Sequence, residues 1–494
     1  MRTLIRTLSV LLLTSFFTHT ANGQTEGSAF TLTGMGVSTP FATDYQALGV
    51  NPANLDLKNQ YERFVTFGFM ETGVSFFSEA LSKSDIRKNL YRDKMRNLSL
   101  AEKKDMAIEF ANSKNAIDLD LTTFGIAVQT NRLGTFSFST KERVDYYSKL
   151  GPQVADLMWL GYSSDYFDSL IVANPNGTFD TIPNIGDIDP DVLERVVKGI
   201  TTLQNAQTLS ELIRGTVFRF SWLQEYNLGW GKRLFSTENL ELHGGLGLKL
   251  VVGRGMTEIV ADGNQTTVFG ALSPLFGIDY GSIAEANPSA FPKDANKLKP
   301  VGMGFGFDLG ATAVLREKFI ISAAVTDIGS ITWDGNVYTL KDINLLEYEN
   351  GGMDNIDFIE QFEKLNGSDA ILEWQGASSI TTKLPATMRA GFGFNNLKNL
   401  RVGVDVIAPL SDDLGSLDKA VIAFGGVFSP IKHIHLQAGV VQGGNYSTKI
   451  PVGIYFTLGK GAYEFGVSSR DFVTFFRNND PTLSMAFGFL RFRI

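Results

Sequence analysis

The sequence predicts an all-β membrane protein, an antiparallel transmembrane β-barrel of about 14 strands. Apolar residues alternate with small or polar ones in segments of about ten residues, and the connections between segments are alternately very short and long. The last segment, residues 484–494 (SMAFGFLRFRI), is amphipathic up to the final Ile494. A barrel ends on such a strand because the last strand pairs with the first and leaves no free edge.

The connections predict the topology. Strand-like segments are expected at residues 62–78, 117–130, 133–143, 216–232, 239–253, 301–315, 319–329 and 386–395, followed by six more between residue 400 and the C-terminus. All large insertions fall on one side of the barrel, at residues 79–116, 144–215, 254–300 and 330–385. Outer-membrane barrels place short turns in the periplasm and long loops outside, so we expect these insertions to be extracellular.

The N-terminus reads as a signal peptide over residues 1–23. Arg2 and Arg6 precede an apolar stretch, residues 8–17, and a small-residue cleavage site, Ala21-Asn22-Gly23. The alternative, a membrane anchor, needs about 20 apolar residues, roughly twice the length of this stretch. Residues 24–61 then lie between the cleavage site and the first strand, and the barrel with its insertions occupies residues 62–494.

Composition excludes several classes of protein. The chain has 38 Phe, 50 Gly and only 15 Pro, with a mean hydropathy of +0.01, as expected when lipid-facing and water-facing residues alternate. It has no Cys, which excludes a disulfide scaffold and a cysteine-anchored lipoprotein. Its net charge of −8 argues against a nucleic acid partner, because binding phosphates requires clustered basic surface.

The alternation assigns residues to two faces. In residues 301–315, Met303, Phe305 and Phe307 share the face that we expect to meet lipid. The opposite faces of the strands carry charges into the lumen: Glu241, Lys249, Asp308, Arg389, Arg401, Asp405, Glu464, Arg470, Arg491 and Arg493. Either these charges pair with one another and keep the barrel rigid, or some of them contact a ligand.

The insertions contain charged stretches with apolar residues three or four apart, at residues 79–115, 189–213 and 353–365. We expect helical lids over the outer mouth; alternatively, their apolar stripes bind an extracellular protein. No nucleophile motif or phosphate loop is present, and His433 and His435 have no third ligand nearby. We therefore expect no enzymatic activity, no cofactor and no metal.

Residues 32–57 (LTGMGVSTPFATDYQALGVNPANLDL) resemble the N-terminal segment of the FadL-like outer-membrane barrels. This superfamily of long-chain fatty-acid transporters also includes the PorV-like barrels of type IX secretion. Its GMG-type segment and Asn-Pro-Ala motif are matched here by Gly34-Met35-Gly36 and Asn51-Pro52-Ala53. The "LP…hRhG" segment that opens late strands in the superfamily is similar to residues 383–394 (KLPATMRAGFGF). The long charged insertions depart from the family pattern.

The resemblance implies a fourteen-stranded barrel in the outer membrane of a Gram-negative bacterium. It also implies that residues 24–61 form a hatch inside the barrel, with Gly34, Gly36, Asn51, Pro52 and Ala53 as its candidate gate residues. Two functions then remain open. The barrel passes a hydrophobic or amphiphilic small molecule across the membrane, or it is a PorV-like scaffold for a secreted or surface protein. Outer-membrane lipid is a partner in both cases.

Overall fold

The structure, a computed structural model, describes most of the chain after the predicted signal peptide. The described residues are 29–57, 63–84, 98–130, 132–185, 188–262, 265–292, 296–353, 364–366, 371–397, 399–411, 419–444, 446–476 and 481–494. The predicted signal peptide, residues 1–23, lies outside them.

Fourteen long antiparallel strands form one closed barrel, which confirms the predicted fold class. In chain order they are β1 (Val65–Ser78), β2 (Lys114–Thr130), β3 (Gly134–Lys149), β4 (Val217–Ser236), β5 (Leu240–Asp262), β6 (Gly302–Leu315), β7 (Phe319–Trp333), β8 (Thr387–Leu397), β9 (Leu400–Pro409), β10 (Val421–Ile431), β11 (Ile434–Gly443), β12 (Val452–Leu458), β13 (Tyr463–Ser469) and β14 (Thr482–Arg493). Each strand pairs with the next, and β14 pairs with β1 from Thr66↔Arg493 to Phe77↔Thr482. No edge is left for another strand to pair with.

The two faces of the wall differ as the alternation predicts. Phe305 is 70% exposed and Leu248 is 63% exposed on the outside, whereas their neighbours Gly304 and Lys249 are buried on the inside. A belt of large apolar side chains therefore surrounds the barrel where lipid contacts it. Within the described residues, no helix has both the length and the hydropathy that a membrane crossing requires.

Short connections all lie at one rim. At the hairpin between β6 and β7, Arg316 and Glu317 have φ of 51° and 56°, and at the hairpin between β12 and β13 Lys460 has φ of 54°. Left-handed backbone of this kind is typical of tight hairpins, because its twist matches that of the strands. The long connections all leave from the opposite rim, where they form what we call the lid.

The lid differs from the prediction in two ways. Its connections are shorter than predicted. The first one ends earlier, because β2 begins at Lys114. Three others start later, because β3, β5 and β7 continue to Lys149, Asp262 and Trp333. These strands exceed the roughly 9–11 residues that a bilayer requires, so the barrel wall extends beyond the membrane on this side. The extensions mix polar, aromatic and aliphatic residues, and several of their apolar side chains, such as Met256 and Ile259, are buried.

The lid is also less helical than predicted. Helices are observed at Leu100–Phe110 and Pro152–Leu160. The predicted helix over residues 189–213 is wrong: this stretch has two four-residue helices and the strand Val196–Ile200 between them. That strand joins Ser169–Ala173, Phe179–Pro183 and Glu347–Tyr348 in a small sheet, and this pairing outweighs the local helical spacing. Most of the third predicted helix, residues 353–365, lies outside the described residues.

Further lid strands and short helices complete the connections. The strands are Gln265–Leu272, Val337–Leu340, Trp374–Gly376, Ile380–Lys383 and Tyr446–Lys449, and the short helices are Gly161–Ser163, Pro274–Phe276, Ile283–Ala286 and Val473–Phe475. A hydrophobic core holds the lid on the barrel: Phe110 and Trp159 pack with Phe218 of β4 and Ile259 of β5. The lid is thus anchored on the tips of the long strands.

Candidate functional site in the barrel lumen

Residues 29–57, which we call the hatch, contact inward-facing side chains of several strands, among them Glu71, Thr312, Asp405 and Arg491. The hatch contains the helical turns Phe30–Thr33, Asp44–Ala47 and Pro52–Asp56. The last turn starts at Asn51, whose side chain accepts a hydrogen bond from the Ala53 N–H. Pro52 suits the first position of such a turn, because its missing N–H would have no partner there.

The candidate gate residues are fixed against the barrel wall. Asn51 is fully buried and donates from Nδ2 to Thr312 Oγ1 of β6 at 3.0 Å. Ala53 is also fully buried, next to Gly245 of β5. Within the hatch, Asn54 donates to the Thr39 carbonyl oxygen at 2.8 Å, which holds the two halves of the segment together.

Glycines of the wall leave room for the hatch. A Cβ added at Gly425 or Gly439 would lie within 3.0 Å of the Met35 carbonyl oxygen, and one at Gly310 within 3.0 Å of Asn51. In the hatch, a Cβ at Gly34 would meet Gln437 and Gly453 just as closely. Gly36 has φ of +71°, which favours glycine on its own account. Such close backbone approach is available only where the Cβ is missing.

Ion pairs and hydrogen bonds add to this docking. Asp44 of the hatch lies 2.6 Å from Arg491 of β14, which also lies 2.9 Å from Glu464; Glu464 pairs with Arg493 as well. On the other side of the barrel, Asp405 Oδ2 accepts from the backbone N–H groups of Ser38 and Thr39 at 2.9 and 2.8 Å.

Further hatch contacts involve a third wall acid and one cation. Arg401 lies over the Phe41 ring at 4.9 Å. Glu71 of β1 accepts from Tyr45 and, at 2.9 Å, from Gln46. Five of the predicted lumen charges, Arg401, Asp405, Glu464, Arg491 and Arg493, therefore contact the hatch or the ion pair that holds it.

The other five predicted charges lie in three places. Lys249 lies 3.3 Å from Asp308 and also pairs with Asp327, all three buried in the wall between β5 and β7. Glu241 pairs with Arg233 at 2.9 Å near the short-turn rim, which takes it away from the centre of the lumen. Arg389 and Arg470 line a cavity beside the hatch.

Sequence reasoning missed several charges of this network. Arg143 lies 3.2 Å from Glu225 and 3.7 Å from Asp145, and Lys141 lies one inward position before Arg143. Lys141, Arg143 and Asp145 are spaced two apart, which is the signal of one strand face. The predicted strand, residues 133–143, ends before Asp145, so the sequence pattern does not show the three charges as one face.

The cavity occupies about 150 Å³ between the hatch and the wall. The hatch contributes apolar side chains to it, among them Leu32, Leu48 and Val50, and the wall adds Val421 and Val441. The charged lining comes from the wall and its connections: Glu71, Asp120, Lys141, Arg143, Glu225, Lys249, Asp327, Arg389, Lys449 and Arg470. One cavity thus offers both apolar contact and charge. In the part of the chain that the structure describes, no group of three His or acidic residues is arranged to hold a metal ion.

A family model described as a family of unknown function (DUF5723) matches residues 184–412 of the chain, from the lid sheet to the end of β9. No curated protein sequence matches the chain. Among solved structures, the chain is similar to the toluene transporter TodX of Pseudomonas putida, with 12% identity over 96% of this chain and 99% of that chain and a TM-score of 0.41. The toluene transporter TbuX of Ralstonia pickettii is 12% identical over 95% and 98%, with a TM-score of 0.41, and a Pseudomonas aeruginosa FadL homologue is 11% identical over 97% and 96%, with a TM-score of 0.37. At this similarity, none of them assigns a substrate to this chain.

Proposed function

We propose that the chain is an outer-membrane β-barrel of a Gram-negative bacterium that passes small amphiphilic or hydrophobic molecules across the membrane without chemistry. The observation that carries the proposal is the cavity beside the hatch. Apolar side chains such as Leu48 and Val50 form one part of its lining, and charged side chains of the wall form the other. A cavity of this composition suits a molecule with an apolar part and a polar part.

The surroundings of the cavity support passage rather than storage. The hatch is a separate segment that reaches the cavity from one side, and much of its attachment is polar, through Asn51, Asp44 and the backbone of Ser38 and Thr39. Polar contacts of this kind can exchange with water when the hatch moves; apolar hatch residues also pack on Ala423, Val427 and Ala486 of the wall, and this contact has to open as well. The described lining holds both charged and apolar residues, which favours amphiphiles over pure hydrocarbons.

Flux through proteoliposomes tests the proposal. The full chain is reconstituted in liposomes that enclose β-glucosidase, and 4-nitrophenyl glucoside, a neutral amphiphile that crosses lipid slowly, is added outside. Release of nitrophenol then reports entry. We expect entry about tenfold above that of protein-free liposomes, and a lower rate for Val50→Asp, which places a charge in the apolar part of the cavity.

The control variant for this experiment is Leu203→Asp, an exposed lid position far along the chain from the hatch, which should keep the wild-type rate. Entry equal to that of protein-free liposomes would overturn transport of this class of molecule. Equal rates for wild type and Val50→Asp would mean that the glucoside does not pass through the cavity.

A second candidate function, a surface scaffold for a secreted protein, is favoured by one feature of the lid. Strand Phe179–Pro183 is the last strand of the small sheet and pairs only with Ser169–Ala173, so its outer edge is free within the described residues. Phe179 is 66% exposed on it, and the following Ile185 is 77% exposed. A free edge flanked by exposed apolar residues suits the addition of a strand from a partner protein. Under this function, Phe179→Asp removes a surface-bound protein from intact cells and leaves glucoside entry unchanged.

A further inference from the structure

Two of the lumen cations that line the cavity have acidic partners within ion-pair distance. Lys249 lies 3.3 Å from Asp308 and pairs with Asp327, and Arg143 lies 3.2 Å from Glu225. Burying a cation in the wall is costly unless an opposite charge or several acceptors replace its water. The acidic partners therefore offset the cost of burying Lys249 and Arg143.

Arg389 forms no such pair among the described residues; the Asp327 carboxylate, which pairs with Lys249, acts on it only from beyond ion-pair distance. It lies on β8, lines the cavity, and is only 9% exposed. Its Nε is buried without a hydrogen-bond partner, and no residue that the structure describes forms an ion pair or hydrogen bond with its guanidinium. A guanidinium carries five N–H donors in a planar fork, so a buried one without acceptors leaves most of its bonding capacity unused.

Lys141 is a second cation of the same cavity, and Glu225 and Asp120 act on its charge only from beyond ion-pair distance. Its Nζ donates to the Leu48 carbonyl oxygen of the hatch at 3.1 Å, and among the described residues it has no ion pair. A Cβ placed on Gly49 would be in van der Waals contact with this Nζ, at 3.9 Å, and with that of Lys249, at 3.6 Å, so both ammonium groups lie beside this glycine of the hatch. Two of the three donors of Lys141 remain for another acceptor.

From these contacts, we infer that the cavity binds an oxyanion, the sulfate, sulfonate, phosphate or carboxylate group of a small molecule, between Arg389 and Lys141. A guanidinium matches two oxygens of such a group at once, and an ammonium adds a compact charge. The charge of the lining agrees: six basic side chains face four acidic ones in the cavity. The apolar side chains of Leu48, Val50 and Val441 lie where the rest of the molecule would be.

One acid of the lining works against an anion. Asp120 of β2 is buried, and its Oδ2 has no hydrogen-bond partner among the described residues. The residue opposite Asp120 on the next strand is Arg143, and the Arg143 guanidinium forms ion pairs with Asp145 and Glu225. Asp120 therefore repels an anion in the cavity, and removing its charge should strengthen binding.

The inference deepens the proposed function and rests on it, because it names the polar group that a transported amphiphile would carry. The two can fail separately. Entry of the neutral glucoside measures passage without an anion, and equilibrium binding measures the anion site without passage.

Isothermal titration of the full chain in phosphatidylcholine nanodiscs tests the site. The probes are sulfate, butanesulfonate and 1-butanol in Tris chloride buffer. We expect both anions to bind and the alcohol not to. Tighter binding of butanesulfonate identifies the group as the head of an amphiphile, and equal binding of both identifies a site for the free anion.

Variants connect the binding to the two residues. Arg389→Gln and Lys141→Gln should each weaken the anions by about tenfold or more, while Asp120→Asn should strengthen them. Lys432→Gln, in a short turn with an exposed side chain, is the matched control and should bind as wild type. No binding of either anion by the wild-type chain, or wild-type affinity in both Arg389→Gln and Lys141→Gln, would overturn the site. If Arg389→Gln fails to fold, the loss of anion affinity in Lys141→Gln and the gain of affinity in Asp120→Asn still test the site.

Discussion

Asp44 of the hatch lies 2.6 Å from Arg491 of the last strand, across 447 positions of sequence. Arg491 is buried and belongs to the strand that closes the barrel against β1. The hatch is therefore attached to the seam at which the barrel closes, and this attachment leads to the first of five predictions.

Replacing Asp44 with Asn should loosen the hatch. Arg491 would keep only Glu464, at 2.9 Å, and removing one member of a buried pair costs about 3 kcal/mol or more. We expect larger single-channel conductance in planar bilayers and new protease cleavage within residues 29–57. Asp334→Asn, in a lid turn, serves as control. Wild-type conductance and cleavage in Asp44→Asn would mean that the pair does not hold the hatch.

Gly425→Ala should displace the hatch without preventing barrel formation. The added Cβ would lie within 3.0 Å of the Met35 carbonyl oxygen, and because the strand that carries Gly425 cannot move away easily inside a closed sheet, the hatch has to move. Gly270→Ala is the matched control, because the nearest atom to its Cβ would be 3.5 Å away. Heat-modifiable migration in gels should show a folded barrel in both variants, with raised conductance in Gly425→Ala only. Equal conductance in the two variants would contradict the close approach.

Phe305→Arg should destabilise the barrel by about 2–4 kcal/mol if the residue faces the centre of the bilayer. Phe305 is exposed on β6, within the apolar belt. Phe179→Arg is the control: this Phe is similarly exposed but lies on the lid sheet. Unfolding by urea in liposomes measures both. A cost for Phe179→Arg as large as for Phe305→Arg would show that exposure alone, and not lipid contact, sets the penalty.

The topology predicts which positions face outward on intact cells. Because the chain has no Cys, a single Cys can be introduced at each site and labelled with a membrane-impermeant maleimide. Phe179→Cys in the lid should be labelled, and Lys460→Cys in a short turn should be labelled only after the cells are opened. The opposite pattern would reverse the orientation.

Acid should loosen one part of the lid through Asp168. Its carboxylate accepts from the Thr202 N–H at 2.9 Å, from Asn205 Nδ2 at 3.0 Å and from Thr201 Oγ1 at 2.9 Å, and these bonds, that from Thr202 first, hold the pKa of Asp168 below its ordinary value. A depressed pKa in the folded state stabilises above the ordinary value of about 4, and the effect is lost as the pH falls through the folded value.

Hydrogen exchange at Thr202, corrected for the intrinsic rate, measures this effect. Protection of the wild-type chain should fall only below pH ~4. Asp168→Asn should show lower protection at neutral pH and a weaker dependence on acid. The same acid dependence in both chains would assign the effect to other carboxylates.

The sequence by itself determined the number of strands, their faces and the side on which the long connections lie. These features are local: the side-chain period of two and the alternation of short and long turns can be read from neighbouring residues. Met303 and Phe305 were placed on the lipid face in this way, and both are exposed there.

Only the tertiary structure decided which residues meet inside the barrel. Arg491 was assigned to the inner face, but its pairing with Asp44 depends on the path of the hatch, as does the role of Gly425 in making room for Met35. The strand Val196–Ile200 was missed for the same reason, because its partners lie in Ser169–Ala173 and Glu347–Tyr348. Arg389 carries the same charge as Arg491 in the sequence, and the two differ because the fold gives Arg389 no ion pair among the described residues. Contacts between distant segments are set by the closure of the barrel around the hatch, which no local pattern records.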